Sequence, residues 1–240
     1  MKRTSLVRVG ALTLAILAVA AAPSFAAIIE LGQTKTPLVA PICPPGVTPK
    51  NCTIILPQVT ALETLRDGKG YPTTVKQPGY IVAFTVGLSM LSSNRATERA
   101  DIKSLDKAFG GTTRLGNVVL KPIGRHRKFQ WKAVAASPIF HVQPYLGQVV
   151  QFALPTALRV QTGYTIALTV PTWAPVLSIN LSTKMFAYRQ SRSTGCALPP
   201  TTPSAQSLGQ TAAYKCNYPG TRVEYSVTEV TDPVAINPIH

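Results

Sequence analysis

The densest cluster of chemically capable side chains occupies residues 125–132, which read Arg-His-Arg-Lys-Phe-Gln-Trp-Lys. Arginine offers forked donors for phosphate, sulfate or carboxylate oxygens, and an indole offers a flat apolar surface with one polar edge. The sequence therefore predicts a binding site for an anionic or carbohydrate polymer that uses Arg125, His126, Arg127, Lys128 and Trp131. The alternative is a charged hairpin tip whose aromatic side chains lie in the core.

Two further places carry candidate ligand contacts. Trp173 lies between Pro171 and Pro175, and a stiff aromatic loop at the end of a strand is either a stacking platform or a plug over the core. Arg189 and Arg192 follow a strand-like run. They are candidate anion contacts, with a solvated strand end as the alternative.

Catalytic patterns find little support. No H-E-x-x-H sequence occurs, and the serine in residues 87–91 lacks the second glycine of a nucleophile elbow. A glycoside hydrolase needs two carboxylates across a cleft, and Asp67 or Asp101 near Glu224 would be candidates. We predict no cofactor and no metal site, and we keep a secreted hydrolase acting on glycans as an alternative function.

The charge distribution favours anionic partners. The chain carries a formal net charge of +15, and residues 107–223 contain 13 Lys and Arg but no carboxylate. Such a field attracts polyanions, including anionic wall polymers, acidic glycans and lipid head groups. The alternative is that the charge only keeps the protein in solution. A specific nucleic-acid partner is not expected for an exported chain.

The first 26 residues have the features of a secretory signal peptide. Lys2, Arg3 and Arg8 precede a small apolar run, and Ser24 and Ala26 provide small residues for cleavage after Ala26. The apolar run is shorter than the roughly 20 residues of a spanning helix. We therefore expect a secreted or cell-envelope protein with no transmembrane segment after cleavage.

The four cysteines form two local pairs along the chain. Cys43 and Cys52 enclose one short loop, and Cys196 and Cys216 enclose another. Three pairings are formally open. The local pairing, Cys43–Cys52 and Cys196–Cys216, is favoured because each bridge closes a loop with little else to hold it. Zinc is a weak alternative, since no C-x-x-C occurs.

Short alternating runs dominate the rest of the chain, with one helical pattern at 97–109 that Thr97 can cap. The predicted strands are 54–62 (an edge strand because of Pro57), 80–88, 114–123, 129–136, 139–145, 148–154, 164–170, 176–181, 185–190 and 222–230. In the last strand Val223, Tyr225 and Val227 are expected inward, and Arg222, Glu224, Ser226 and Thr228 outward.

This spacing predicts an all-β protein: an antiparallel β-sandwich of jelly-roll type with one short helix and two local disulfides. The predicted organisation is a signal peptide at 1–26, an extended Pro-rich arm with a disulfide loop at 27–53, a single sandwich domain at 54–232 and a tail at 233–240.

The alternation from Phe152 through Gly163 to Val170 resembles the closing hairpin of jelly-roll modules of the galactose-binding-like, carbohydrate-binding type. The whole chain also resembles secreted proteins of unknown function from high-GC bacteria. These resemblances imply a fold and a location, and no site residue follows from them. The calcium site common in such modules is not expected, because no carboxylate lies near the hairpin.

Together these observations predict a secreted or cell-surface, non-catalytic protein that binds an anionic or carbohydrate polymer. A purely structural envelope protein with no specific ligand is the second alternative, beside the hydrolase.

Overall fold

The computed structural model describes residues 24–44, 52–124, 129–197 and 202–235. Nearly all of its regular structure is strand, with a single α-helix in the described part. The elements are β1 Ser24–Phe25, β2 Ile28–Leu31, β3 Leu56–Arg66, β4 Lys69–Gly70, β5 Gly79–Gly87, α1 Arg95–Phe109, β6 Arg114–Pro122, β7 Gln130–Ala136, β8 Phe140–His141, β9 Val149–Val160, β10 Thr165–Ala174, β11 Leu177–Ser178, β12 Ala187–Gln190, β13 Thr211–Ala213, β14 Cys216–Pro219, β15 Arg222–Val223, β16 Tyr225–Thr231 and β17 Val234–Ala235.

Two antiparallel sheets make up the body of the protein. The larger has the order β13-β7-β6-β10-β3-β12-β14, with β4 paired to β3 and β8 paired to β6, and the smaller has the order β2-β16-β5-β9. One core cluster contains residues of both sheets, including Phe84 and Val86 from β5 and Ile166 and Leu168 from β10. The all-β fold, the antiparallel sheets and the single helix of the prediction are thus confirmed, and the arrangement is sandwich-like.

The predicted closing hairpin is wrong. β9 pairs with β5 in the smaller sheet, whereas β10 pairs with β3 and β6 in the larger one. The turn at 161–164 therefore carries the chain from one sheet to the other. Both faces of the larger sheet are buried at β10, and a strand that alternates between apolar and polar residues would place its polar face in one of these buried layers. The jelly-roll type stays a prediction without this feature.

A second core cluster lies on the outer face of the larger sheet. It contains Leu62, Val118, Leu120, Trp131, Ala133, Ala167 and Tyr214. These residues alternate with those of the main core, such as Ala61 and Val119, so they point to the opposite side. The sheet is consequently covered on both faces in its middle.

β3 is a central strand rather than the predicted edge, since β10 and β12 flank it. Pro57 is tolerated because it lies near the start of β3, where the register with β10 shifts between Val170 and Trp173. β5 is also a central strand, between β16 and β9. An irregularity between Ile81 and Ala83 reverses its alternation, so Tyr80 faces solvent and Ile81 the core.

Helix α1 begins two residues before the predicted start. The cap is Asn94, whose side chain accepts hydrogen bonds from the N–H groups of Ala96 and Thr97, so Thr97 lies in the first turn. The helix ends as predicted at Gly110, which adopts a left-handed conformation at φ 80°.

Both predicted disulfides are present, Cys43–Cys52 and Cys196–Cys216. Such bridges persist in oxidising environments of the extracellular type. In the described part of the chain, no helix is long and apolar enough to cross a membrane.

The predicted arm and tail are more ordered than expected. β2 pairs with β16, and β17 pairs with β1. Past β2, the arm lies flush against the end of β5, where a Cβ on Gly87 would stand 1.8 Å from the carbonyl oxygen of Val39. The predicted cleavage after Ala26 would remove β1 but keep Ala27, which exchanges two hydrogen bonds with Thr231.

Candidate functional site

The predicted basic cluster falls largely on residues outside the described part: Arg125, His126, Arg127 and Lys128. The strands on either side of it are described. β6 ends at Pro122 and β7 begins at Gln130, and in their register Lys121 is directly opposite Lys132. Both lysines are exposed. Like charges directly opposite each other destabilise a sheet, and in the described part neither lysine has an acidic partner within ion-pair distance.

Arg189 lies at the same end of the larger sheet. Its guanidinium carbon stands 3.9 Å from the centroid of the Phe129 ring, close enough for a cation–π contact. The same guanidinium donates hydrogen bonds to the carbonyl oxygens of Tyr214 and Lys215, each at 3.1 Å. Arg189 is therefore held in one orientation, half-exposed, beside the exposed Lys215.

We call these four cations the basic rim: Lys121, Lys132, Arg189 and Lys215. In the sequence, Lys121 and Lys132 lie on either side of residues 125–128, which contain three further cations and His126. Lys121 and Lys132 alternate with Leu120 and Trp131, which belong to the second core, so the lysines point to the other side of the sheet. Arg189 is directly opposite Leu62 of the second core, so the rim has cations on both sides of the sheet.

Trp131 does not offer its ring to a ligand. It is buried in the second core, where it contacts Tyr214 edge to face with ring centroids 5.1 Å apart. The alternative stated from the sequence, a strand aromatic packed in the core, describes it correctly. Phe129 is the aromatic residue of this segment that remains exposed.

Trp173 is fully buried, so it is a plug and not a stacking platform. Its indole N–H donates to Asp106 Oδ1 at 2.9 Å and to the carbonyl oxygen of Gly111 at 3.1 Å. These contacts attach the end of α1 to the end of β10. An indole needs such a partner when it is buried, and Asp106 was not recognisable as that partner from spacing alone.

Arg192 is also buried, which corrects its prediction as an anion contact. Its guanidinium donates to the carbonyl of Gly195, to the hydroxyl of Tyr218 at 2.6 Å and to the side chain of Gln190. It therefore holds the loop before Cys196 against β12 and β14. Of the two candidate arginines, Arg189 alone keeps an exposed surface.

A buried ionic cluster, which sequence patterns did not indicate, brings together residues that are far apart in the chain. Glu63 contacts Arg66, and Arg222 lies 3.3 Å from Glu224, with all four side chains buried. The prediction that the polar side chains of residues 222–226 point to solvent is therefore wrong. It is covered by the arm, because Arg222 donates to the carbonyl oxygens of Thr36 and Pro37 at 3.1 and 2.9 Å.

Arg66 connects this cluster to the start of β16 and to the arm. It donates to the carbonyl oxygens of Val223 and Tyr225 at 2.9 and 2.8 Å, and to that of Gly32 in the arm. Burial raises the pKa of Glu63 to about 7, against the opposing effect of Arg66. Burial also raises the pKa of Glu224, which accepts a hydrogen bond from Ser178 at 2.6 Å. These charges join the arm to the sheets.

The carboxylates considered for hydrolysis are mostly engaged in such contacts. Asp67 does lie near the cluster, but it accepts two hydrogen bonds from Thr36 at 2.7 and 2.8 Å. Glu224 is buried and ion-paired, and Asp101 is exposed on α1. The structure therefore does not bring Asp101 or Asp67 together with Glu224 across an open cleft.

A groove of about 670 Å³ separates α1 from the turn at 143–146. Its lining includes Met90, Ile102, His141 and Leu146. His141 faces Thr112 across 3.5 Å. In the described residues no three His, Cys, Asp or Glu side chains gather in a geometry that could hold a metal ion.

No known protein family, curated protein or solved structure matches this chain.

Proposed function

We propose that the protein is exported and binds an anionic polymer of the cell envelope at the basic rim, without catalysing a reaction. The observation that carries the proposal is the exposed pair Lys121 and Lys132, which are directly opposite each other in the sheet. Two opposed lysines repel each other in the free protein, and an anion bound between them removes this repulsion.

Arg189 supports the same reading. Its contacts with Phe129, Tyr214 and Lys215 fix the guanidinium before any ligand arrives, so less side-chain entropy is lost on binding. Phosphate, sulfate and carboxylate oxygens all suit a guanidinium. A charged polymer is favoured over a small ligand because the cations lie on both sides of the sheet rather than converge in one pocket.

The charge of the surroundings also supports a polyanion. Residues 107–223 contain no carboxylate, so the rim is not neutralised by near neighbours in the chain. Two acids elsewhere in the fold are engaged in ion pairs, Glu63 with Arg66 and Asp232 with Arg159. Sugar stacking is less favoured, since both tryptophans are buried.

The test is retention of the purified protein on insoluble polymers. The panel contains peptidoglycan with and without its anionic polymers, cellulose, chitin and anionic liposomes, each at low and high salt. We expect retention on peptidoglycan that carries anionic polymers, and its loss at high salt, because exposed charges are screened within about 10 Å at 0.1 M salt.

The double variant Lys121→Gln/Lys132→Gln should lose most of this retention. The matched control is Lys103→Gln/Lys107→Gln on the exposed side of α1, which removes the same charge elsewhere. Equal losses in both variants would show that net charge alone drives retention. Retention that ignores salt and both variants would overturn the proposal. Retention on no polymer would favour a structural envelope protein instead.

A further inference from the structure

We propose that β9 is a dimerisation edge, at which two copies of this chain pair their β9 strands antiparallel. β9 is the outer strand of the smaller sheet and pairs with β5 on one side. Within the described ranges, no group outside that pair hydrogen-bonds to the backbone of residues 149–157. Its outer N–H and C=O groups are thus free to pair with another strand.

The other sheet edges are much shorter. β2 has four residues, β13 has three, and β14 has four and begins at the disulfide-bonded Cys216. β9 has 12 residues. A short or tethered edge strand is a common protection against the addition of another strand. β9 is long, so it lacks this protection.

The first half of β9 also lacks the protection that charge gives. The run from Val149 to Leu158 contains no charged side chain, and the first one is Arg159, which is ion-paired with Asp232. Pro155 lies in the irregular interval between the two paired stretches, opposite Ile81 to Ala83. Only the second half of the strand is therefore shielded, and residues 149–153 are open.

An apolar surface continues beyond this open stretch. Val149, Met90 and Tyr145 are exposed by 46%, 51% and 37%. The ring of Tyr145 packs edge to face on Phe152 with centroids 5.2 Å apart. Met90 lies against Gly147, where an added Cβ would be 3.3 Å from the methionine side chain. A free uncharged edge beside exposed apolar side chains is typical of a protein interface.

A second copy is the partner that fits this surface. The chain is strongly basic, so two copies repel each other except where they meet through an uncharged region. A twofold interface uses one surface twice, and an antiparallel strand edge is complementary to itself. Pairing would join two four-stranded sheets into one of eight strands.

The register follows from the uninterrupted stretch. Val149 to Ala153 pairs without a shift with residues 83–87 of β5, and its midpoint is Gln151. A twofold axis there places Gln151 opposite Gln151, Val150 opposite Phe152 and Val149 opposite Ala153. Gln151 is exposed and donates a 3.3 Å hydrogen bond to Thr228, so it can be replaced without opening the core.

The experiment measures the oligomeric state of the disulfide-intact protein by light scattering after size exclusion, over a dilution series. We expect a dimer that dissociates on dilution. Gln151→Lys and Gln151→Glu should each weaken dimerisation by at least tenfold, because like charges meet across the axis. An equal mixture of the two variants should restore a dimer, since opposite charges then meet.

The control is Thr211→Lys on the β13 edge, which should dimerise like the unchanged protein. Circular dichroism of each variant confirms that it is folded. A protein that is monomeric at every concentration overturns the proposal, and so does a dimer that both Gln151 variants leave intact. The outcome is independent of polymer binding, because β9 and the basic rim have no residue in common.

Discussion

Trp173 and Asp106 are joined by a 2.9 Å hydrogen bond from the indole N–H to the carboxylate. This bond links the end of β10 to the last turn of α1, and it makes Trp173 part of the framework. Because the ring is fully buried, the protein has no tryptophan platform for sugars at this end of the sheets.

Trp173→Phe should lower the free energy of unfolding by roughly 1–3 kcal/mol, because the half-buried Asp106 carboxylate and the Gly111 carbonyl lose their donor. Trp173→Ala should cost about 3–5 kcal/mol, since it also leaves a cavity. Urea unfolding followed by circular dichroism measures both. Polymer retention should not change while the variants are folded; a selective loss of retention would return Trp173 to the binding site.

Arg222→Gln should detach the arm from the sheets. The change removes the donors to Thr36 and Pro37 and leaves Glu224 buried without its cation, at a cost of about 3–5 kcal/mol. Hydrogen exchange of residues 32–40 should become faster. The matched control is Arg159→Gln, whose pair with Asp232 is exposed and should change stability little. Equal effects of the two variants would contradict the role of the buried cluster.

Glu229 should make the protein less stable as the pH rises. Burial, with a smaller contribution from Asp232, raises its pKa to about 7 from an ordinary 4.5, and neither carboxyl oxygen has a hydrogen-bond partner among the described residues. Between these two values the folded state binds more protons than the unfolded state. The free energy of unfolding therefore falls as the pH rises from about 4.5 to 7.

The test compares Glu229→Gln with the unchanged protein from pH 4 to pH 8. Relative to the unchanged protein, the variant should have a free energy of unfolding that is higher by roughly 1–3 kcal/mol above pH 7. Below pH 4.5 the loss of this carboxyl group should give no such difference. A difference between the two proteins that stays constant with pH would show that Glu229 keeps its ordinary pKa in the folded state.

Cys196→Ser/Cys216→Ser should lower the free energy of unfolding by about 3 kcal/mol, since the bridge closes a loop of 20 residues. The loop is also held by Arg192, so polymer retention should persist at temperatures where the variant is folded. Thermal unfolding with and without reductant measures the effect. An unchanged midpoint would mean that Arg192 and its partners suffice to order the loop.

The strand runs and the cysteine pairing were predictable because they depend on local patterns. Alternation predicted most ends of β5, β6, β7 and β10 to within a few residues. The two local loops between the cysteines favoured the observed disulfides. The same local reasoning failed for Pro57, which it assigned to an edge, because the neighbours of β3 come from distant parts of the chain.

The buried charges were not predictable for the same reason. Arg222 and Glu224 alternate with Val223 and Tyr225 in sequence, which is typical of a solvated face. Burial comes from the arm, whose Thr36 and Pro37 carbonyls are more than 180 residues away. Likewise, periodicity could not show that a second core covers Trp131, since Tyr214 reaches it from another part of the chain.

The basic rim could be predicted only in part. Composition located the cations at 125–132, but the opposition of Lys121 and Lys132 depends on strand register. The contact of Arg189 with Phe129 joins residues 60 positions apart, and nothing in their spacing indicates it. What the sequence does indicate is the sign of the charge, and an anionic ligand stays a prediction.

The most direct test of anion binding is the salt dependence of affinity for a soluble polyphosphate, measured by fluorescence anisotropy on the unchanged protein and on Lys121→Gln/Lys132→Gln. Binding at the rim predicts that affinity falls steeply with salt and that the variant binds more weakly with a shallower slope, while Lys103→Gln/Lys107→Gln matches the unchanged protein. An affinity that is independent of salt, or identical slopes for all three proteins, would contradict it.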